Sequence, residues 1–477
     1  MLPETPLLQP GVHVHFSGIG GKGIAPAAVL AHAAGLTVTG DDLTGNDRTR
    51  ALAAGGIPVT TGCNTIAPGA AVHVASAALA GPPPGNPAVP RAMTRLEFVQ
   101  NLITAQGKKV IAVAGSLGKS TAAAMTYRLL SPISPTAYIG ADVPGLLCGA
   151  ALGAGDWAVV EACEYKGAYH ALRPDIVIVL NLTENHQDDL GPGTAGFETS
   201  LTAFLTGPAA PRLAVMPAEV AELLGKRLAA AESPCPALET IGEDADWNTE
   251  ILDASPAATT FRLTHHGTHA GTWTAPAPGR HIVTAAACGL ITAHHLGVPA
   301  ADTASALAGF QLPHRRMTTV HHDDQLVIID DNARQPGQAA ALIQALRQAH
   351  PGRHLIIAVA PWGRANRRDL PAWALGLSDA DTVWVLPVGD AATPGGEPPD
   401  SGSQLARQIR LHGVPAYVTA PGTRLPDLLP RTRTSRPLLI ATAGYDASMP
   451  AFTQLHDAAI TAFASQPPPG TPTPAAH

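Results

Sequence analysis

Gly115-Ser116-Leu117-Gly118-Lys119-Ser120-Thr121 stands between Val110 to Ala114, a continuous apolar run, and Ala122 to Leu130, a helix-forming one. Strand, glycine turn and helix in that order make a phosphate-binding loop. Backbone N–H groups at the helix start point at anionic oxygens, the lysine reaches β- and γ-phosphates, and the following hydroxyl ligates Mg²⁺. An ordinary strand-to-helix turn has no need of Gly-Lys-Ser-Thr at this place. The standard spacing would put a glycine where Val113 stands, so the loop is a shortened form. Because strands buried on both faces read as unbroken apolar runs, the stretch predicts an α/β fold with parallel strands.

The same pattern occurs upstream. Val12 to Phe16 leads through Ser17 into Gly18, Ile19, Gly20, Gly21, Lys22 and Gly23, followed by a helix over Ala25 to Ala34 with Pro26 in its first turn, and by a strand at Leu36 to Thr39 ending in Gly40-Asp41-Asp42. Gly18, Gly20 and Gly23 give the G-x-G-x-x-G spacing of a dinucleotide fingerprint. The same backbone geometry suits any pyrophosphate, and the glycines could also serve only a close strand-helix contact. Downstream, a third unit begins near Arg315, with strands at Leu326 to Ile329, Leu355 to Val359, Thr382 to Leu386 and Leu438 to Thr442 and a helix over Gln338 to Gln348. Gly81 to Pro90 reads as a surface loop, and Gln466 to His477 as disordered.

Composition supports this division. At roughly 150 residues per domain, 477 residues suggest about three domains. Only 14% of residues are charged and 4% aromatic, so the cores must be built from Ala, Val, Leu and Ile. The net charge of −7, without a basic and aromatic patch, argues against nucleic acid as a partner. The N-terminal residues lack a basic-then-apolar leader and the apolar runs fall short of about 20 residues, so a soluble, cytoplasmic protein with no membrane partner is expected. Cys63, Cys148, Cys163, Cys235 and Cys288 are scattered and odd in number, which indicates neither a disulfide frame nor a zinc site.

Glu161 and Glu164 follow the strand Trp157 to Val160, and His186 and Asp188 follow Ile176 to Leu180, a placement suited to Mg²⁺ beside a triphosphate. His265, His266 and His269 lie in a strand-like stretch without an acidic or cysteine partner and are expected to be exposed strand residues; His294 and His295, near the end of a helix, are expected to be exposed as well.

Seven segments, in order, resemble the Mur ligases. His15 through Gly23 is similar to that family's uridine-nucleotide loop, and Gly40-Asp41-Asp42 to the acidic end of its second strand. Gly115 to Thr121 resembles its shortened ATP loop, Glu161-Ala162-Cys163-Glu164-Tyr165 its Mg²⁺-binding strand end, and Asn181 through His186 to Asp188 its N-x-x-x-D-H-x-D segment. Gly279-Arg280-His281 resembles the approach to the adenine contact. Arg315-Arg316, Asp330-Asp331 and Pro336 resemble the opening of its C-terminal domain.

The resemblance implies an α/β chain of three domains: a Rossmann-like UDP-substrate domain over 1–105, a central P-loop ATPase domain over 106–312 and a Rossmann-like C-terminal domain over 313–466, before a tail at 467–477. It implies that Gly115, Ser116, Leu117, Gly118, Lys119, Ser120, Thr121, His281, Arg315 and Asp330 hold ATP, and that Gly18, Ile19, Gly20, Gly21, Lys22, Gly23 and Asp42 hold the UDP-linked substrate. Ser120, Glu161 and His186 would hold Mg²⁺, with Lys119, Glu161, His186 and Arg316 acting in catalysis. The implied reaction phosphorylates a carboxylate with ATP and passes the acyl phosphate to an amino acid's amine, the nearest pair being UDP-N-acetylmuramate and L-alanine in peptidoglycan precursor synthesis. A monomer or homodimer is expected.

Departures from the family pattern keep two alternatives open: a ligase recruited to specialised-metabolite assembly, and a nucleotide-binding protein without turnover. Ile282 and Ala285 replace two asparagines after His281, and Asn332-Ala333-Arg334-Gln335-Pro336 replaces a Tyr-x-His-His-Pro segment. Pro361 is followed by Trp362 and Gly363 instead of His-Arg, with Arg364 one place displaced. Asn185 replaces the aspartate before His186, and Cys63 the histidine after Gly62.

Overall fold

The computed structural model describes residues 8–62, 65–76, 91–183, 194–207, 209–360, 370–386, 401–419, 436–444 and 449–464. The first sheet comes from β1 (His13–Ser17), β2 (Thr37–Asp42), β3 (Val59–Thr61), β4 (Val72–Ala75) and β5 (Arg91–Thr94), with helices α1 (Ala25–Ala33), α2 (Asp47–Ala54) and α3 (Arg95–Ala105). Its strands are parallel in the order β3-β2-β1-β4-β5. Local chemistry starts the helices. Pro26 sits in the first turn of α1, and capping boxes Asn46/Thr49 and Thr94/Glu97 satisfy the free N–H groups of α2 and α3.

The second sheet holds β6 (Lys109–Ala114), β7 (Thr136–Tyr138), β8 (Ala150–Ala151), β9 (Trp157–Glu161), β10 (Ile176–Val179), β11 (Leu213–Pro217), β12 (Ala237–Ile241), β13 (Trp247–Ala254), β14 (Thr259–His265) and β15 (Thr268–Ala275). Around it lie α4 (Lys119–Leu129), α5 (Ala195–Leu205), α6 (Ala218–Ala229), α7 (Arg280–His295) and α8 (Ala300–Ala308). The order is β15-β14-β13-β12-β11-β10-β6-β9-β7-β8, so β6 lies between β10 and β9 and three parallel strand ends meet beside the phosphate loop. Ligands of open parallel sheets bind at such carboxyl ends. Helix α4 begins at Lys119, three residues before the expected Ala122, because Gly118 closes the turn with φ +82°. The strand-like stretch around His265 to His269 belongs to an antiparallel β13-β14-β15 meander, whose strands expose one face and carry no long apolar run.

Residues 1–314 form one compact unit and 315–477 another. Inside the first, Val110, Ala112 and Ala114 of β6 pack into a core shared with β1, α1 and α3, while Ile111 and Val113 pack into a second core with α4 and α7. Each such Val or Ile, fully buried, contributes about 1.5–3 kcal/mol relative to exposure. The shared core is why both sheets belong to one compact unit.

The second unit contains β16 (Thr318–His322), β17 (Leu326–Asp331), β18 (His354–Ala360), β19 (Thr382–Val385), β20 (Ala416–Val418) and β21 (Leu438–Gly444), with α9 (Pro336–Ala349), α10 (Leu370–Gly376), α11 (Ser401–Leu411) and α12 (Met449–Ala464). The order is β16-β17-β21-β18-β19-β20, parallel except for β16 against β17. Alternate residues of β17 and β18 feed two cores, one on each face.

Candidate active site

At the end of β6 the chain turns on Gly115 and Gly118, whose φ values of +129° and +82° side chains rarely adopt. A Cβ on Gly115 would also stand 3.1 Å from Leu180 N and 3.2 Å from Asn181 N, so the loop lies close against the chain leaving β10. Asn181 holds it there. Leu117 N donates to Asn181 Oδ1 at 2.9 Å, and Asn181 Nδ2 donates to Leu117 O at 3.0 Å. Ser116 Oγ donates to Thr183 O and Thr183 N donates to Ser116 Oγ, both at 2.9 Å. The chain's own hydrogen bonds fix the loop's shape.

Lys119 Nζ lies 2.8 Å from Glu164 Oε2 and donates to Gly115 O at 2.7 Å and Ser116 O at 3.2 Å. The Glu164 side chain is 2% exposed, so the ammonium rests on a buried carboxylate and on its own loop. Ser120 Oγ donates to Glu161 Oε1 at 3.1 Å, and Gly140 N donates to Glu161 Oε2 at 2.7 Å. A hydroxyl and a carboxylate beside a phosphate loop are the hard oxygen donors that Mg²⁺ takes, and the pair fits that ion. His186 lies outside the described residues, among which no three His, Cys, Asp or Glu side chains form a metal cluster.

The N-terminal loop is pinned to the end of β2. Gly18 N and Ile19 N donate to Asp41 O at 2.8 and 3.0 Å, and Gly20 N donates to Asp42 Oδ2 at 2.9 Å. Arg48 of α2 donates to Gly20 O at 3.4 Å and grips Asp142 with two bonds of 3.0 and 2.7 Å. Tyr138 Oη donates to Gly23 O at 2.6 Å. Gly21 and Lys22 are half-buried along this loop. The loop and the Ser120–Glu161 pair thus occupy one compact unit.

In the second unit Arg315 Nε lies 2.9 Å from Asp330 Oδ2, and Arg315 Nη2 donates to Gly444 O at 3.0 Å. Thr442 Oγ1 donates to Asp330 Oδ1 at 2.8 Å, and the Arg315 guanidinium sits 5.7 Å from the Phe452 ring centre. Both partners are engaged within their own unit. Burial pushes the neighbouring Asp331 carboxyl up to about 6, against the opposing pull of Arg316 and of Met317 N, which donates to it at 2.8 Å. His281 is exposed in the first turn of α7, whereas Ile282 and Ala285 point into the core, each 4% exposed.

Two stretches match family models: residues 13–105 the "Mur ligase family, catalytic domain", and residues 315–426 the "Mur ligase, glutamate ligase domain". A UDP-N-acetylmuramate–L-alanine ligase of Frankia casuarinae is 32% identical over 422 residues, 79% of this chain and 82% of the relative. The chain belongs to the Mur ligase family. As such it is an ATP-using ligase that forms amide bonds. Two solved structures share the fold. The UDP-N-acetylmuramate–alanine ligase MurC of Thermotoga maritima has TM-score 0.73 at 22% identity, covering 95% of this chain and 100% of that one. The MurF ligase of the same organism, in complex with ADP, has TM-score 0.60 at 15% identity over 83% and 90%.

Several residues that organise this Mur ligase's site escape a reading of motifs. In sequence Asn181 only opens a segment and Glu164 is only one of two acids; what each binds depends on β6 lying between β9 and β10. The expectation for the histidines needs correction. His266 and His269 are exposed, but the half-buried His265 stacks on Trp247 at 4.1 Å with its Nε2 3.9 Å from Glu239 Oε2. Glu239 also bonds His295 Nε2 at 3.0 Å and Trp247 Nε1 at 2.6 Å. The sheet and α7 bring together acid and histidines remote in sequence. Cys148, Cys163, Cys235 and Cys288 are free thiols. Cys63, Gly81 to Pro90, Asn185, Asp188, Pro361 to Arg364 and Gln466 to His477 lie outside the described residues.

Proposed function

We propose that this Mur ligase joins UDP-N-acetylmuramate to L-alanine, with ATP as the phosphoryl donor and Mg²⁺ held by Ser120, Glu161 and His186. The carrying observation is the preformed loop with Lys119 on Glu164 and Ser120 on Glu161. The loop N–H groups and Lys119 bind the phosphates of ATP, the ammonium exchanging Glu164 for the β- and γ-phosphates. When bound, Mg²⁺ supplies charge neutralisation at the transferring phosphoryl group. The substrate carboxylate oxygen attacks the γ-phosphorus, the bond to the β,γ-bridging oxygen breaks, and ADP leaves. The amine then attacks the acyl phosphate, phosphate departs, and one proton is released.

The N-terminal loop Gly18 to Gly23, with Asp42 ordering Gly20, holds the uridine nucleotide, and Arg316 serves the second unit's share of the reaction. The three-part division at residues 105 and 313 belongs to the same reading. Among the described residues no helix is long and apolar enough to cross a membrane, which accords with a cytoplasmic enzyme acting on nucleotide substrates. One second reading, a ligase of the same chemistry serving another acid or amine, is supported by Asn332-Ala333-Arg334-Gln335 standing where the family has Tyr-x-His-His.

Phosphate release measured with ATP, Mg²⁺, UDP-N-acetylmuramate or another UDP-linked carboxylate, and each amino acid or other amine in turn, decides between them. Release only with L-alanine supports the first reading, release only with another acid or amine the second. ATP binding without turnover in any combination overturns both.

A further inference from the structure

We propose that Arg95 seats the carboxylate that receives the phosphoryl group, an assignment that rests on a uridine-linked acid being the substrate. Arg95 opens α3 directly after its Thr94 cap, whose Oγ1 accepts from Glu97 N at 3.4 Å. The side chain is half-buried and its guanidinium lies against Gly23, the last glycine of the N-terminal loop. A Cβ at Gly23 would overlap Arg95 Nη1 and stand 2.8 Å from Cζ, so only glycine leaves room for the guanidinium. Gly23 is itself fixed by Tyr138 Oη on its carbonyl.

The same guanidinium lies close to the Cys163 thiol and in the field of Glu161, the carboxylate that accepts from Ser120. Arg95 therefore joins the end of one ligand loop to the strand end that serves the other. Among the described residues no carboxylate forms an ion pair with it; its near contacts are the thiol and the Tyr138 phenol, which burial pushes up to about 12 and so keeps neutral. A desolvated cation without an ion pair, whose nearest carboxylate, Glu161, is already taken up by Ser120 and Gly140, favours an anion supplied by a ligand.

Which anion follows from the order of the chemistry. The N-terminal loop offers N–H groups to a pyrophosphate, and Lys119, Ser120 and Glu161 surround the γ-phosphoryl position. The substrate group that must reach from the first to the second is its carboxylate. A guanidinium takes two carboxylate oxygens in a planar fork and stays charged as one of them bonds phosphorus, so Arg95 also balances the added charge of the acyl phosphate.

Calorimetric titration of the full chain with UDP-N-acetylmuramate and with UDP-N-acetylglucosamine, the same nucleotide sugar without the carboxylate, tests the assignment. Arg95→Met should weaken binding of the acid at least tenfold and leave the neutral sugar within twofold. Arg95→Lys should fall between. Unchanged ATP affinity in Arg95→Met shows that the unit is folded; if that variant does not fold, Arg95→Lys carries the comparison. Equal loss of both sugars would place Arg95 on the pyrophosphate and overturn the proposal, as would no loss of either. If the wild-type protein binds neither sugar, the substrate reading itself fails.

Discussion

Replacing Lys119 by Met removes two things at once, and the structure separates them. Glu164 is 2% exposed and Lys119 12%, so the pair is largely withdrawn from water. Stripping one partner from a buried pair costs about 3–5 kcal/mol, because the remaining charge keeps its desolvation penalty. The residual exposure of Lys119 points to the lower end, about 3 kcal/mol. For a unit of this size that lowers the thermal midpoint by roughly 6 °C. Independently, the γ-phosphoryl group loses its cation, and turnover should fall at least 10²–10³-fold, the scale seen when one preorganised donor is removed. The double variant Lys119→Met/Glu164→Gln discards the orphaned charge as well. It should recover to within about 1 kcal/mol of the wild type, since neutral replacement of a buried pair is often tolerated, while activity stays lost. Circular dichroism melts without nucleotide, paired with phosphate-release assays, read both effects. Undiminished turnover in Lys119→Met refutes the phosphate role. A double variant no more stable than the single one refutes the ion-pair account.

Glu161→Gln should abolish Mg²⁺-dependent phosphate release while leaving metal-free nucleotide affinity within a few-fold; full activity at ordinary Mg²⁺ would remove Glu161 from the metal site. Ile282→Asn, which restores the family's amide, should destabilise the protein by about 1–3 kcal/mol, because the amide enters a core position without a partner; tighter ATP binding at unchanged stability would show that the position faces the nucleotide. Asp331→Asn tests the pH dependence. A carboxyl raised from 3.8 to about 6 on folding contributes stability that is complete below pH 3.8 and is lost as the pH climbs through 6. The variant should therefore gain on the wild type by about 1–1.5 kcal/mol between pH 5 and 7.5 in urea unfolding. A gap that narrows over that range would contradict the burial of Asp331.

The parts of this molecule legible in its sequence are those in which one residue type answers to one local demand. Val110 to Ala114, Ile176 to Val179 and Leu355 to Val359 read as strands because both their faces are covered, and Gly118 marks a turn because a side chain there would be strained. The β13-β14-β15 meander was legible only as a strand-like stretch around His265 to His269, since Thr, His and Gly alternate there with a few large residues and no apolar run marks the strand bounds. The site divides the same way. Lys119, Ser120 and Glu161 announce phosphate chemistry by type and spacing, but nothing local says that Glu164, 45 positions from Lys119, will be its counter-charge, or that Asn181 will brace the loop. Those pairings follow from strand order, with β6 inserted between β10 and β9, and strand order is a property of the crossovers. Arg315 and Asp330 show the converse. Motif position casts them as ATP ligands, and the structure engages both within the second unit, with Thr442, Gly444 and Phe452 around them. A side chain's type limits the chemistry it can do, and the tertiary approach decides which counter-charge it meets. In this ligase Lys119 meets such a counter-charge in Glu164, whereas among the described residues Arg95, with Glu161 only in its field, forms no ion pair.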